Sequence, residues 1–198
     1  MKKLLAGAVW MLASGVWMGA MAQAPAAPAV APAPAKPGLT LSSPAFDDGG
    51  IIPNRYTQAA APDTPVSPKL VWDHVPDGTV SFALIVHDPD TSLMHTNAQV
   101  LHWLIFNIPG TARELAENIP ATATLPDGSV QPLNTRKKIG YLGMGAPAVG
   151  PYHHYTFELF ALDTKLMLGP DAAQKDVEAA MEGHILGKGV VEGRFHRP

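Results

Sequence analysis

Val80-Ser-Phe-Ala-Leu-Ile-Val-His87 and Val100-Leu-His-Trp-Leu-Ile-Phe-Asn107 are the two runs that decide the fold class. In the first, Val80, Phe82, Leu84 and Val86 share one face of an extended chain, and Ala83 and Ile85 make the other face apolar too. The second run is apolar almost without a break. Strands of this kind are covered on both faces, so both runs read as central strands of a sheet buried between two layers. Tyr155-Thr-Phe-Glu-Leu-Phe-Ala-Leu162 alternates more cleanly at first, with Tyr155, Phe157 and Leu159 together. Leu70-Val-Trp72 and Gly189-Val-Val-Glu-Gly193 are shorter strand candidates, and Pro and Gly clusters punctuate the runs. One helix is expected, opened by Pro170-Asp171, carried by an apolar stripe of Ala173, Val177, Ala180, Met181 and Ile185, and closed by Gly187. Leu115 to Ile119 reads as one extra helical turn. The sum is a mainly β single domain, a β-sandwich with a C-terminal helix.

Outside that domain the composition changes. Residues 23–38 hold five Pro and seven Ala in sixteen positions, too little large apolar surface to fold, and Pro biases them to an extended tether. Residues 1–22 read as a signal peptide: Lys2 and Lys3, an apolar run from Leu4 to Trp17, then Ala20-Met21-Ala22 as a small-x-small cleavage site before Gln23. A retained N-terminal anchor is the competing reading, but the stretch is short for a span and a cleavage site follows it. The short Lys-Lys start looks bacterial, so the expected compartment is the periplasm, with no stable membrane insertion after cleavage. The folded domain is then 39–198. The whole chain has 198 residues, no Cys, 14 Lys plus Arg against 17 Asp plus Glu, and a formal charge of −3. No disulfide, thiolate ligand or Cys nucleophile is available, and no basic stripe invites nucleic acid.

The polar groups that carry chemistry sit at the ends of the most apolar strands. Asp88-Pro-Asp90 ends the first run, His102 lies inside the second beside Trp103, and His153, His154 and Tyr155 start the third. Such placement on a rigid scaffold builds small-ligand pockets. A carboxylate beside imidazoles favours their charged form, so two imidazoles, a Tyr hydroxyl and backbone N–H groups can hold a phosphate. Taken singly, the Asp residues read equally as turn formers, His102 as a satisfied buried imidazole and Tyr155 as core. The several His residues lack metal-ligand spacing, and no metal or cofactor is expected. Arg136-Lys137-Lys138 reads as a solvated basic loop that can also greet an anionic head group.

Asp88-Pro89-Asp90, followed by His102-Trp103 and Asn107-Ile108-Pro109, resembles the first signature of the phosphatidylethanolamine-binding proteins, most closely the bacterial branch often called Raf kinase inhibitor-like (the YbhB/YbcL type). Gly150-Pro151-Tyr152-His153-His154-Tyr155-Thr156-Phe157 resembles that family's Gly-Pro-x-His-Arg-Tyr-x-Phe. Leu41 to Phe46, Gly50 to Pro53, Ser67 to Trp72 and Gly140-Tyr141 add ordered matches, so the resemblance spans about 40–196. It implies a β-sandwich with an anion pocket at one end and assigns Asp88, Asp90, His102, His153 and Tyr155 to ligand binding. Donors would come from His102, His153 and the Tyr155 hydroxyl; Asp88 would orient and charge an imidazole, and Asp90 would shape the turn.

Three departures stand out. His154 replaces the family's Arg; adjacent strand residues face opposite ways, so it need not share a pocket with His153. Thr91-Ser92 lacks the second Pro of Asp-Pro-Asp-x-Pro. Gly143-Met144-Gly145-Ala146-Pro147 replaces a Pro-rich wall, and the stretch from Asp88 to Val100 adds His95 and Asn97 in an insertion-like loop over the mouth. The function expected is an exported binding protein for a phosphate-bearing small molecule or lipid head group. The alternative is a protein-interaction module inhibiting a periplasmic enzyme. A hydrolase using the same pocket lacks a Gly-x-Ser-x-Gly elbow or any other nucleophile motif, so the chain is expected not to be an enzyme.

Overall fold

A computed structural model of the chain describes residues 37–91 and 99–198. The elements in order are β1 (Thr40–Ser42), β2 (Gly50–Ile51), two single 3₁₀ turns (Asn54–Tyr56 and Gln58–Ala60), β3 (Leu70–Asp73), β4 (Ser81–Asp88), β5 (Val100–Pro109), β6 (Glu114–Leu115), β7 (His153–Leu162), α1 (Gln174–Met181) and β8 (Ile185–Phe195). They form a three-stranded sheet, β1-β3-β6, and a five-stranded sheet, β2-β8-β7-β4-β5.

The five-stranded sheet is apolar on both faces because each face packs on a different layer. Phe82, Leu84 and Val86 of β4 join Leu41, Leu70 and Trp72 of the small sheet in one core. Trp72 meets Phe82 edge-on across that core, ring centroids 5.3 Å apart. Ala83 and Ile85 point the other way and pack with Val177 and Met181 of α1. The chain is therefore mainly β, a sandwich of two sheets with a helix on the outer face of the larger one. Burying a large side chain in such a core contributes roughly 1.5–3 kcal/mol.

β5 departs from the expected central position. It is covered on both faces yet lies at the end of its sheet, beside β4 only. Residues 130–142 bind its outer edge instead: Phe106 and Val130 exchange two backbone hydrogen bonds of 3.0 and 2.9 Å, Thr135 N donates to Leu101 O at 3.1 Å, and Leu142 N donates to His102 O at 2.8 Å. Burial of both faces does not fix the number of ladder neighbours, so a run buried on two sides need not be a central strand.

The unbroken apolarity of β5 also has a cause. Its pairing with β4 slips twice, from Phe82↔Ile108 to Leu84↔Ile105 and from Val86↔Trp103 to His87↔Leu101. Each slip inserts an extra residue and exchanges the strand's two faces. Leu101, Leu104 and Phe106 accordingly face α1, while Trp103, Ile105 and Ile108 face the small sheet. At the first slip Asn107 takes φ of 59°, a region Asn tolerates. Its amide exchanges two hydrogen bonds of 2.8 Å with the Leu166 backbone in place of the lost ladder.

The helix is shorter than its apolar stripe suggests. It starts at Gln174, where the Asp176 carboxylate accepts from Ala173 N at 3.0 Å, and ends at Met181. Gly183 turns the chain at φ of 81°. Ile185 and Gly187 therefore belong to β8, not to the helix, and this longest strand follows the helix. A Cβ on Gly187 would lie 2.9 Å from Pro76 Cγ, so the residue serves a close strand crossing. Leu115 is likewise no helical turn: it pairs with Leu70 in the small sheet. Among the described residues no helix is long and apolar enough to cross a membrane.

Candidate functional site

β4 ends at Asp88 where its neighbour β7 begins at His153, and the ladder between them stops at His87↔Thr156. Beyond that point the side chains are free to converge. The Asp88 carboxylate is buried and has three hydrogen-bond partners. One oxygen accepts Asp90 N at 2.9 Å; the other accepts Thr91 Oγ1 at 3.0 Å and lies 2.7 Å from His153 Nδ1. A carboxylate that can only accept fixes a proton on that imidazole nitrogen, so His153 has Nε2 for other partners. Thr91 fills the variable position before the missing second Pro, and its hydroxyl also comes 3.3 Å from His153 Nδ1. Ser92, His95 and Asn97 lie outside the described residues.

His102 enters from β5 at the second slip, the unpaired residue between Leu101 and Trp103. A bulge beside a site re-aims a side chain in this way. Its ring is buried and meets Tyr155 edge-on at 5.2 Å and 86°. His102 Nδ1 is 2.8 Å from Leu142 O. A carbonyl cannot donate, so Nδ1 carries the proton and donates it. Burial pushes the imidazole's pKa below the ordinary histidine value, and Arg136 and His87 act the same way; the Leu142 carbonyl and Asp88 oppose them without reversing the shift. His102 is thus neutral, with a lone pair and no proton on Nε2. The sequence expects an N–H donor from His102; in the neutral ring that donor is the Nδ1–H, which Leu142 O accepts.

Asp88, Thr91, His102 and His153 line one cavity of about 360 Å³, with Gln58, Val100, Thr135, Arg136, Leu142, Gly145 and Pro147 completing the wall. Arg136 is the permanent cation there. The sequence offered it only as part of a solvated basic run; what places it is the backbone bond from Thr135 to Leu101 beside His102. Thr135 Oγ1 accepts Leu101 N at 2.8 Å and keeps its own proton to give. On the far wall Gln58 donates to Gly143 O at 3.1 Å and accepts from Arg197 at 2.7 Å. A Cβ on Gly145 would meet the Gln58 amide, so the Gln58 side chain packs closely over this glycine.

Two of the sequence candidates lie off the cavity. Tyr155 is fully buried behind His102, and its hydroxyl accepts Ala146 N at 3.1 Å. Burial and the nearby Asp88 charge hold its pKa well above the ordinary tyrosine value, so it stays a neutral hydroxyl. Asp90 faces outward with His154: its Oδ2 accepts His154 N at 2.6 Å and lies 2.9 Å from His154 Nδ1. Burial works to raise the Asp90 pKa, but the His154 backbone and ring hydrogen bonds outweigh it and leave it lowered. His154 thus takes a partner on the outer face, as the strand alternation allowed. Among the described residues no group of three His, Cys, Asp or Glu side chains is placed to hold a metal ion.

Comparison with known proteins fits this architecture. The family model described as phosphatidylethanolamine-binding protein matches residues 42–196. A protein described as UPF0098 from Methanothermobacter thermautotrophicus is 45% identical over 160 residues, covering 80% of this chain and 99% of its own. The Escherichia coli UPF0098 protein YbhB is 32% identical, covering 80% of this chain and 92% of its own. The crystal structure of Escherichia coli YbcL, described as a member of the mammalian PEBP family, superposes with a TM-score of 0.71 at 26% identity, covering 82% of this chain and all (100%) of that one. The chain belongs to the phosphatidylethanolamine-binding protein family, and within it is similar to the YbhB/YbcL type.

Proposed function

We propose that this protein binds a phosphate-bearing small molecule in the cavity between the ends of β4, β5 and β7, and returns it unchanged. One observation carries the reading: the Asp88–His153 pair, 2.7 Å apart, opens onto the same cavity as Arg136. Asp88 accepts from His153 Nδ1 and fixes the direction of the imidazole, and the Arg136 guanidinium adds a permanent cation. Charge-assisted donors of this kind suit a phosphate oxygen. The family description, with its phospholipid head group, points to the same class of anion. Asp90 and Tyr155 act here as supports, one for the turn and one for the floor behind His102.

The N-terminal signal features and the Ala/Pro-rich tether support an exported protein, tethered or released in the periplasm. Mass spectrometry of the protein recovered from cell fractions tests this, with Gln23 as the expected first residue in the periplasmic fraction. An uncleaved chain in the cytoplasm would refute it. A second reading comes from the His153 geometry, since a carboxylate-oriented imidazole is also what a general base needs. Phosphate release from phosphomonoesters would favour that reading over binding alone.

The binding proposal is tested by calorimetric titration of the full chain with inorganic phosphate and phosphorylethanolamine, beside His153→Ala. Saturable binding that the variant loses is expected. Heat-silent titration of a folded wild-type protein would end the proposal and leave a protein-interaction role in its place.

A further inference from the structure

We infer that the rim of the cavity docks on a negatively charged lipid bilayer, so that the cavity opens toward a membrane surface. The loop from Pro147 to Tyr152 enters the interfacial layer, and Arg136, Lys137, Lys138 and Arg197 face the lipid charges. The inference rests on the phosphate-binding reading for what the docked cavity takes up, and adds the surface that presents it.

Pro147-Ala-Val-Gly-Pro-Tyr152 leaves the cavity wall at Pro147 and returns to it at His153. It has no charged side chain, and each of its residues is exposed, Val149 at 90%. Tyr152 meets the His196 ring edge-on, centroids 4.1 Å apart, which steadies one end of the loop. Tyrosine favours the boundary between water and lipid, because its ring is apolar and its tip polar.

The cations come from two other parts of the same rim. Leu133 bridges Ile139, and inside that turn Lys137 N donates to Asn134 O at 2.9 Å. Arg136, Lys137 and Lys138 therefore stand at the tip, all exposed, and none has an ion-pair partner among the described residues. Arg136 also lines the cavity, so the tip belongs to its mouth. On the Gln58 wall Arg197 donates to the Gln58 side-chain oxygen at 2.7 Å, an uncharged partner that leaves its charge uncancelled. Acidic groups do not offset them: Asp90 is paired with His154, and Asp171 shares a hollow with Lys137 without an ion pair. The positive excess is local, since the whole chain carries −3.

A bilayer fits this rim better than a protein does. One Val and one Tyr offer little apolar area beside the roughly 1,200–2,000 Å² that a stable protein interface buries. A bilayer needs no matching shape, and each Lys or Arg near an anionic surface strengthens attachment about fivefold. The loop is short, so the docking is reversible.

The chain has no Cys, so a single introduced Cys carries an environment-sensitive fluorophore at a chosen place. Val149→Cys reads the loop. Met167→Cys, 94% exposed and beyond the far end of β7, is the control. On the full chain, phosphatidylcholine vesicles containing phosphatidylglycerol should shift the emission at position 149 to the blue and leave position 167 unchanged. Vesicles of phosphatidylcholine alone should need at least about tenfold more lipid. Adding Lys137→Gln and Lys138→Gln should weaken the anionic response about 25-fold while leaving inorganic phosphate binding intact. Vesicles that capture the chain without a shift at 149, or with equal shifts at both positions, would overturn the docking face; attachment through the apolar N-terminal run gives that result. No vesicle capture beside intact phosphate binding would overturn it too, and leave the rim to a protein partner. A shift at 149 alone, in a chain that fails to bind inorganic phosphate, would uphold the docking face and end the phosphate-binding reading.

Discussion

Asp88–His153 and Asp90–His154 are the same chemical pair set down twice within a few residues, at 2.7 and 2.9 Å, with opposite surroundings. In the inner pair the side chains are 5% and 16% exposed; in the outer pair, 40% and 43%. Strand alternation alone produces the contrast: His153 turns toward the cavity, so its neighbour His154 turns to solvent. The lesson is that a His–Asp contact has no fixed worth. Inside, the carboxylate is desolvated and its three hydrogen bonds must stay made. Outside, water and salt screen the same attraction, and the pair helps hold a turn.

The largest expected break in the comparison is in ligand binding. His153→Ala should weaken phosphate binding on the order of 100-fold, whereas His154→Ala should leave it within about twofold. Comparable losses in the two variants would abolish the distinction. Stability comes next. Asp88→Asn strands donors in a buried place and should cost about 2–3 kcal/mol in urea unfolding, against less than about 1 kcal/mol for Asp90→Asn. Equal losses would mean that the inner pair is as well solvated as the outer.

Arg136→Ala sharpens the account of charge. It should lower phosphate affinity about tenfold at low salt, and by less as added salt screens the partly exposed guanidinium. Lys137→Ala, one residue along the same basic run, should change little, because Lys137 lies off the cavity wall. The smallest effect is the pH dependence of folding. Burial holds the His102 pKa below its unfolded value, so between the two values the unfolded chain binds more protons. Its contribution to stability is therefore present above about pH 6.5 and declines as the pH falls below it. Thermal melts from about pH 7.5 to about pH 5.5 should show the wild-type advantage over His102→Gln narrowing on acidification; a widening gap would contradict the sign. Asp90 runs with the same slope at lower pH, its stabilisation being lost as acidification passes its lowered value.

What was legible depended on whether one residue or a distant partner decided it. β4 could be read from its alternation, because each of its faces meets a whole layer and the period of two survives. β5 was legible as a strand but its division into faces was not, because two slips exchange those faces and nothing in an apolar run marks where a bulge falls. The helix end was missed because Ile185 continued the apolar stripe, while Gly183 turned the chain before the stripe ended. At the site, Asp88, His102 and His153 were visible as polar residues at apolar strand ends. The state of His102 was not, because its partner is the backbone carbonyl of Leu142, and a carbonyl has no sequence signature. Arg136 was undervalued for a similar reason: its position follows from the strand-like pairing of residues 130–142 along β5, and that segment reads as loop.

The central claim is that the inner His–Asp pair faces an anion and the outer pair does not. Side-chain nitrogen NMR of the histidines, recorded on the full chain as inorganic phosphate is added, reads both at once. The account predicts saturable shifts at His153 and His102, with His102 protonated on Nδ1 throughout, and a still resonance at His154. Phosphate that shifts His154 while leaving His153 in place would contradict it.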